Sequence, residues 1–269
     1  MEDFETNIVE DFQSRYFGKH RGYVVDNEDP DNRGRIKVQI PSILGSASTG
    51  WALPCLPFAG YNQGLFTLPT IGAPVWMEFE GGDLNFPIWT GGFWANPSDL
   101  PGEVSTDPTT ATVLKTPGGH FLRFEDGLEK AQISLHHANG SLLQMDEEGS
   151  LELTDANGAS LSLNAQDNEI TISDSHGNQM TLNSKGTRVK DSHGNQIDMA
   201  SSGVTVKGQK VVISGQQVLL GGQGGEPVLK GQSFLTLFAT HIHPTANGPS
   251  GPPIPQGEAS ALSMKVKAS

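Results

Sequence analysis

Two apolar residues separated by one polar residue recur about every nine positions between Leu143 and Val206, and a turn built on Gly or Asn follows each pair. The pairs are Leu143/Met145, Leu151/Leu153, Leu161/Leu163, Ile170/Ile172, Met180/Leu182, Ile197/Met199 and Val204/Val206, with turns at Gly149, Gly158, Asn168, Gly177, Gly186, Gly194 and Gly203. Residues i and i+2 of a strand share a face, so Leu151 and Leu153 point one way while Glu152 and Thr154 point the other. The pattern predicts short strands, each with one narrow apolar face.

A lone meander of such strands leaves its sheet edges open and one face wet. The segment offers no helix and no second apolar sheet to cover that face. The expected solution is that identical copies supply the cover, three chains wound around a shared apolar axis. Leu151, Leu153, Leu161, Leu163, Ile170, Ile172, Met180 and Leu182 are then the trimer core. A single-chain β-solenoid with the same repeat is the alternative, although such coils commonly spend more residues per turn and place several inward positions in each coil.

The 33 Gly and 17 Pro among 269 residues argue for strands and turns, and the length suits two domains. A single cysteine, Cys55, excludes an intrachain disulfide framework and a Cys-rich zinc site, and its apolar surroundings predict a buried structural thiol. The first 16 residues are acidic and lack the apolar region of a signal peptide, and no stretch has the length of a transmembrane helix. Of the net charge of -13, most falls on the repeat: residues 101–200 hold 15 acids against 6 bases. Three copies of an acidic shaft repel nucleic acid and anionic lipid, although ordinary solubility charge accounts for the same count.

Residues 18–94 follow a different pattern, with apolar alternation at 22–26, 35–40, 51–54, 75–79 and 86–90 and turn signals at 28–34 and 81–83. Five strands of this size predict a closed barrel of the oligonucleotide/oligosaccharide-binding (OB) type. Its few bases, Lys19, Arg21, Arg33, Arg35 and Lys37, are outnumbered by acids, which argues against nucleic acid as a partner. Glu78 and Glu80 share a strand face in this reading, and a solvated surface explains them better than a glycosidase pair.

The motifs then follow a known order. Residues 34–41 read Gly-Arg-Ile-Lys-Val-Gln-Ile-Pro, Trp51 precedes Ala59 and Gly60, residues 69–75 read Pro-Thr-Ile-Gly-Ala-Pro-Val, and residues 79–83 read Phe-Glu-Gly-Gly-Asp. Together with Thr-Pro-Gly-Gly-His-Phe at 116–121 and the β-repeat, this order resembles the spike proteins of contractile tails over about residues 18–225. That family includes phage baseplate assembly protein V, the central spikes of related injection devices and the valine-glycine-repeat protein G of type VI secretion.

Repeat and resemblance together lead us to expect an all-β chain: a five-stranded OB-type barrel, then an intertwined homotrimeric β-helical prism, then a small C-terminal tip segment. The expected parts are an acidic N-terminal arm (1–17), the OB-fold barrel (18–95), a Pro-, Thr- and Ser-rich linker (96–119), the prism (120–225) and the tip segment (226–269). The resemblance implies a structural central spike, not an enzyme, that attaches at its barrel end to a separate baseplate hub protein and pierces the target cell envelope mechanically. It implies residence in a virion tail baseplate or a tail-like injection particle, with a cone-shaped tip protein as a further partner. The competing reading is a tail-associated enzyme that degrades cell wall or polysaccharide. A carbohydrate-binding adhesin is weakened by the lack of Phe, Tyr or Trp over residues 125–225.

Near the C-terminus, Phe234, Leu235, Leu237 and Phe238 are spaced like one face of a short helix, a Pro- and Gly-rich run covers 249–255, and residues 262–267 alternate like a final strand. His241 and His243 follow the helix. On an extended backbone both imidazoles point one way, and a three-fold axis gathers six nitrogens, an octahedral set suited to one iron(II) or other divalent ion per trimer. Family spikes carry a similar His-x-His element near the apex. If the helix runs on through His243 the rings diverge, and His243 caps a helix before Pro244 instead. The Asp-Ser-His-Gly-Asn-Gln sequences at 174–179 and 191–196 look like catalytic triads on paper but read as duplicated turns.

Overall fold

The computed structural model describes residues 14–104, 109–219, 229–254, 257, 260 and 262. The chain divides into two compact units, Met1–Gln209 and Lys210–Ser269. Residues 1–13 of the acidic arm, and 263–267 of the strand expected at 262–267, lie outside the described residues.

The first unit begins with short strands: β1 His20–Asp26, β2 Lys37–Gln39, β3 Leu53–Pro54, β4 Ala59–Gly60, β5 Gln63–Gly64, β6 Pro74–Phe79 and β7 Pro87–Gly92. Strict alternation places Val75, Met77 and Phe79 of β6 in the interior and Trp76 and Glu78 outside. Five strands form one sheet in the order β2-β1-β6-β7-β3, antiparallel except where β3 runs parallel to β7. Mutual backbone bonds between Ile36 and Ala52 (3.2 and 2.8 Å) and a 2.9 Å bond from Thr49 N to Val38 O join the two ends of this order into a ring. Closure satisfies both sheet edges without a partner.

Inside the ring sit Val24, Ile36, Val38, Ile40, Val75, Met77, Phe79 and Trp89. The Trp89 indole N–H donates to Gly34 O at 3.2 Å, so the largest ring in the core leaves no donor unpaired. A Cβ at Gly22 would lie 2.3 Å from Val38 Cγ1, so only glycine lets β1 cross β2 this closely. The helix α1, Pro41–Leu44, opens on a proline and bridges toward β3. Cys55 is exposed, contrary to the sequence expectation. The inward positions here are Ala52 and Leu56, which leaves position 55 on the outer side of the alternation.

The loop between β1 and β2 is organised by Asp29, which is buried. Its carboxylate accepts the backbone N–H groups of Asp31, Arg33 and Arg35 and meets the Arg35 guanidinium at 2.6 Å. The guanidinium, aided by those three N–H donors, holds the Asp29 carboxyl well below the usual range.

A second sheet follows in the same unit, with eleven strands: β8 Ala111–Lys115, β9 Phe121–Glu125, β10 Gln132–His136, β11 Leu142–Met145, β12 Leu151–Thr154, β13 Ser160–Asn164, β14 Glu169–Ser173, β15 Gln179–Asn183, β16 Gly186–Lys190, β17 Gln196–Ala200 and β18 Gly203–Lys207. Each strand pairs antiparallel with the next, so the sheet is a pure meander. It opens with β8, inside the segment expected to be linker, and its last strand ends at Lys207. The repeat also gains a member, β16, that the apolar-pair pattern missed because Thr187 stands where the first apolar residue of the pair belongs.

Four of the hairpin turns share one construction. At Asp146, Asp155, Asp174 and Asp191 the side-chain Oδ1 accepts the N–H groups two and four residues on. A glycine with positive φ stands three residues after each aspartate (Gly149, Gly158, Gly177 and Gly194), where the chain turns back. Gly186 opens β16 with φ 132°, and a Cβ there would lie 1.9 Å from Met199 O on β17.

Among its described residues the second unit contains one helix, α2 Gly231–Thr240, and a small hairpin of β19 Pro244–Thr245 with β20 Gly248–Pro249. The helix stops at Thr240, and His241 is extended (φ -69°, ψ 148°).

Two outcomes follow. Because the Asp29 carboxyl is depressed in the folded state, its stabilisation is complete above the ordinary carboxylate range and is lost progressively as pH falls from that range toward the lower folded-state value. Asp29→Asn therefore lowers the melting temperature of the barrel at neutral pH, and the gap to the parent narrows below about pH 4; thermal melts across that range check it, and a gap that stays constant contradicts it. Gly186→Ala forces β16 away from β17 and costs on the order of 1–3 kcal/mol of sheet stability, measured by denaturant titration.

Candidate functional site

Cross-strand register turns the sequence repeat into two continuous columns on one face of the meander. One column runs Leu114, Leu122, Leu135, Leu143, Leu153, Leu161, Ile172, Met180, Val189, Ile197 and Val206. The other runs Thr112, Phe124, Ile133, Met145, Leu151, Leu163, Ile170, Leu182, Thr187, Met199 and Val204. The eight residues assigned to a trimer core from sequence all stand here: Leu153, Leu161, Ile172 and Met180 in the first column, and Leu151, Leu163, Ile170 and Leu182 in the second. Beyond that set, the register adds Leu114, Leu122, Phe124, Ile133 and Leu135 upstream and Val189 on β16. The upstream residues carry the same two-residue spacing as the repeat, which was the available signal.

Among the described residues most of this face is uncovered, the strands packing chiefly against their ladder neighbours. Leu153 is 51 % exposed, Ile172 48 % and Val204 69 %. Directly opposed pairs such as Leu153 with Leu161 gain from cross-strand packing, but their outer surfaces remain in water. Finishing the burial of one such side chain contributes about 1 kcal/mol, and the columns present some twenty of them, so the face is built to be covered.

Between the columns, on the reverse face, runs a polar line that includes Gln144, Glu152, Ser162, Thr171, Thr181, Arg188 and Asp198. Arg188 Nε meets Asp198 Oδ1 at 2.6 Å, and this contact, ahead of one with Gln196, holds the Asp198 carboxyl below its usual value. The two faces thus differ in kind: one greasy and unsealed, one hydrated.

The structure assigns no reaction to the motifs that resemble catalytic groups. In the 174–179 turn, Ser175 Oγ and Asp174 Oδ2 both approach Nδ1 of His176, at 3.4 and 3.8 Å. A relay needs nucleophile and orienting acid on opposite ring nitrogens, so the set has the wrong connectivity. His193 repeats it with Ser192 and Asp191 at 3.3 and 3.9 Å. The side-chain amides of Asn178 and Asn195, with the turn N–H groups, hold the two aspartates below the usual range. Glu78 belongs to β6 and pairs with Lys19 at 2.7 Å, whereas Glu80 opens a 3-10 turn, so the two do not share a strand. A cavity of about 580 Å³ is lined by Arg123, Glu125, Glu129, Lys130, Asp146 and neighbours, with Arg123 paired to Glu125.

His241 follows α2 on extended backbone, and the His241 and His243 ring centroids lie 5.0 Å apart, edge to face. His241 Nδ1 is bonded to Phe238 O. An Nδ1–H donated to that carbonyl leaves Nε2 as the basic nitrogen, the usual arrangement for a ligating imidazole. Among the described residues no single chain groups three or more His, Cys, Asp or Glu side chains able to hold a metal ion.

Residues 20–94, the closed ring, match the family described as the type VI secretion system/phage-baseplate injector OB domain. Two proteins of Vibrio cholerae serotype O1 are each 34% identical to this chain over 115 residues: the actin cross-linking toxin VgrG1 and the type VI secretion system spike protein VgrG3. The matched stretch is 39% of this chain but 10% and 11% of those proteins, so the chain spans a small part of their length. The G-box domain of the microcephaly protein CPAP superposes with a TM-score of 0.28 at 10% identity, covering 70% of this chain and 99% of that domain, and carries no argument about this fold. Residues 20–94 are thus similar to the injector OB domain of type VI secretion systems and phage baseplates, and one of the relatives matched is a spike protein.

Proposed function

We propose that three copies of the chain form the central spike of a contractile phage tail or a related injection device, and that the spike breaches the envelope of a target cell by mechanical force. The observation that carries this reading is the pair of wet apolar columns. Three copies of a single-layer sheet, each turning its columns inward, enclose a continuous apolar axis and leave the polar lines facing water. The similarity to the spike protein VgrG3 supports the same role.

The barrel seals itself, which suits a module that docks rather than one that completes the axis. Its candidate contact is the excursion around β4 and β5, where Tyr61 is 100 % exposed and Phe58, Leu65 and Phe66 are exposed beside it. This patch is where a separate baseplate hub protein attaches in our reading.

At the other end of the chain, His241 and His243 fit a shared metal. Three pairs around an axis supply six imidazole nitrogens, a donor set suited to one iron(II) or similar divalent ion, which would tie the three tip segments together. The Phe238 carbonyl fixes the tautomer of His241 that such a role needs.

Light scattering on the purified chain is expected to give three times 28.6 kDa, and elemental analysis one divalent ion per three chains. His241→Ala with His243→Ala keeps the trimer mass and loses the ion. A folded monomer overturns the spike reading, and a metal content unchanged by the double substitution overturns the metal site. Leu161→Asp places a charge in the axis and leaves no soluble trimer, whereas Ser162→Lys, on the reverse face opposite Glu152, leaves the assembly intact.

A further inference from the structure

The helix α2 has no charged residue between Gly231 and Thr240, and none of its ten side chains is buried in the single chain. Phe234, Leu237 and Phe238 stand at i, i+3 and i+4, and His241 follows at i+7, so the four form one stripe along the helix. Leu237 is 70 % exposed, and Phe234 and Phe238 are exposed as well. The Phe234 and Phe238 rings stack with centroids 6.1 Å apart, and Phe238 lies 5.1 Å from His241. Only Leu235, on the flank of this stripe, is half-buried.

We propose that the stripe is a second, separate trimer contact: the α2 helices of three chains pack parallel to one another through Phe234, Leu237 and Phe238. The inference rests on the trimer reading above and adds an element to it that the β-repeat does not supply. Three observations select sister chains as the occupant. First, Lys207 ends the last strand of the meander and Gly231 opens the helix 24 residues later. A chain of that length reaches at most about 80 Å, so three chains joined through their meanders hold their helices at an effective concentration on the order of millimolar.

Second, a three-fold axis brings identical surfaces together, and any net charge on them repels itself. In a chain of net charge -13, an uncharged helix meets its own copies without that cost. Third, the helix suits lipid poorly. Ten residues span about 15 Å, half the hydrocarbon thickness of a bilayer, and the Lys and Arg face of an interfacial helix is missing. Packing on the stripe also brings the three His241 residues toward one another, because each occupies the next position along it.

The test uses the full chain with Cys55→Ser, which removes the exposed native thiol. Leu237→Cys stands on the stripe and Gln232→Cys on the opposite side of the helix. Under mild oxidation, with trimer mass confirmed by light scattering for both variants, Leu237→Cys is expected to form disulfide-linked dimers at least about tenfold faster than Gln232→Cys, at a rate independent of protein concentration. Equal rates in a confirmed trimer overturn the helix contact and leave the trimer standing. A monomeric mass for the Cys55→Ser parent overturns both. A polarity-sensitive dye on the Leu237→Cys thiol provides the second readout: burial in the free trimer supports the contact, and burial only after adding phosphatidylcholine/phosphatidylglycerol vesicles overturns it.

Discussion

The structure depends on how each of its two sheets disposes of the surface that a strand cannot satisfy alone. Both are built from the same alternation of inward and outward residues. In the barrel, the bonds between Ile36 and Ala52 join the ends of a five-strand order, so no edge is left open and Val24, Val38, Val75 and Met77 are fully enclosed. In the meander, every strand is bonded to the next and nothing lies across the columns among the described residues, so the same kind of residue is left about half wet. The difference is one of closure rather than composition, and it separates a module that seals itself from one whose apolar face stays open in the single chain.

Register is what makes the open sheet usable as an interface. Since side chains alternate with period two, a slip of one residue in any strand would exchange a column residue for a polar one. The aspartate turns oppose such slips locally: each fixes its loop length through two backbone N–H bonds and places glycine where φ must be positive. Turns also touch across the sheet edge, as when Ser192 N–H meets the Asn178 side chain at 3.3 Å.

How much of this the sequence discloses follows from how local each signal is. The units from Leu143/Met145 to Val204/Val206 were legible because an apolar pair and its glycine turn lie within nine or so residues of each other. Strand β16 was hidden because Thr187 breaks the apolar pair, although its register with Leu182 and Met199 is regular. Strand β8 was hidden by the Pro- and Thr-rich composition around it. The barrel strands could be read from alternation, but the exposure of Cys55 depends on which parity faces the core, and the separation of Glu78 from Glu80 on where β6 ends, which local apolarity does not mark. For His241 and His243, the decisive fact was the end of α2 at Thr240, and the sequence left both outcomes open.

The direction of the hydrogen bonds bears on mechanics. In the meander the ladder bonds run from strand to strand, along the length of the stack, and eleven strands at about 4.8 Å spacing make a ladder of roughly 48 Å. In a spike assembled from three such sheets, a load along the stack presses the ladders together, whereas a pull along the same line would open them in series. Compression is also borne by the column residues, whose close packing resists volume loss. A single-layer sheet is therefore a weak tether but a serviceable strut, provided its greasy face is sealed so that the strands cannot buckle toward water. In the proposed trimer the seal would then be a mechanical requirement as well as a thermodynamic one, because the side chains that would hold three chains in register would also keep the strands from buckling under load.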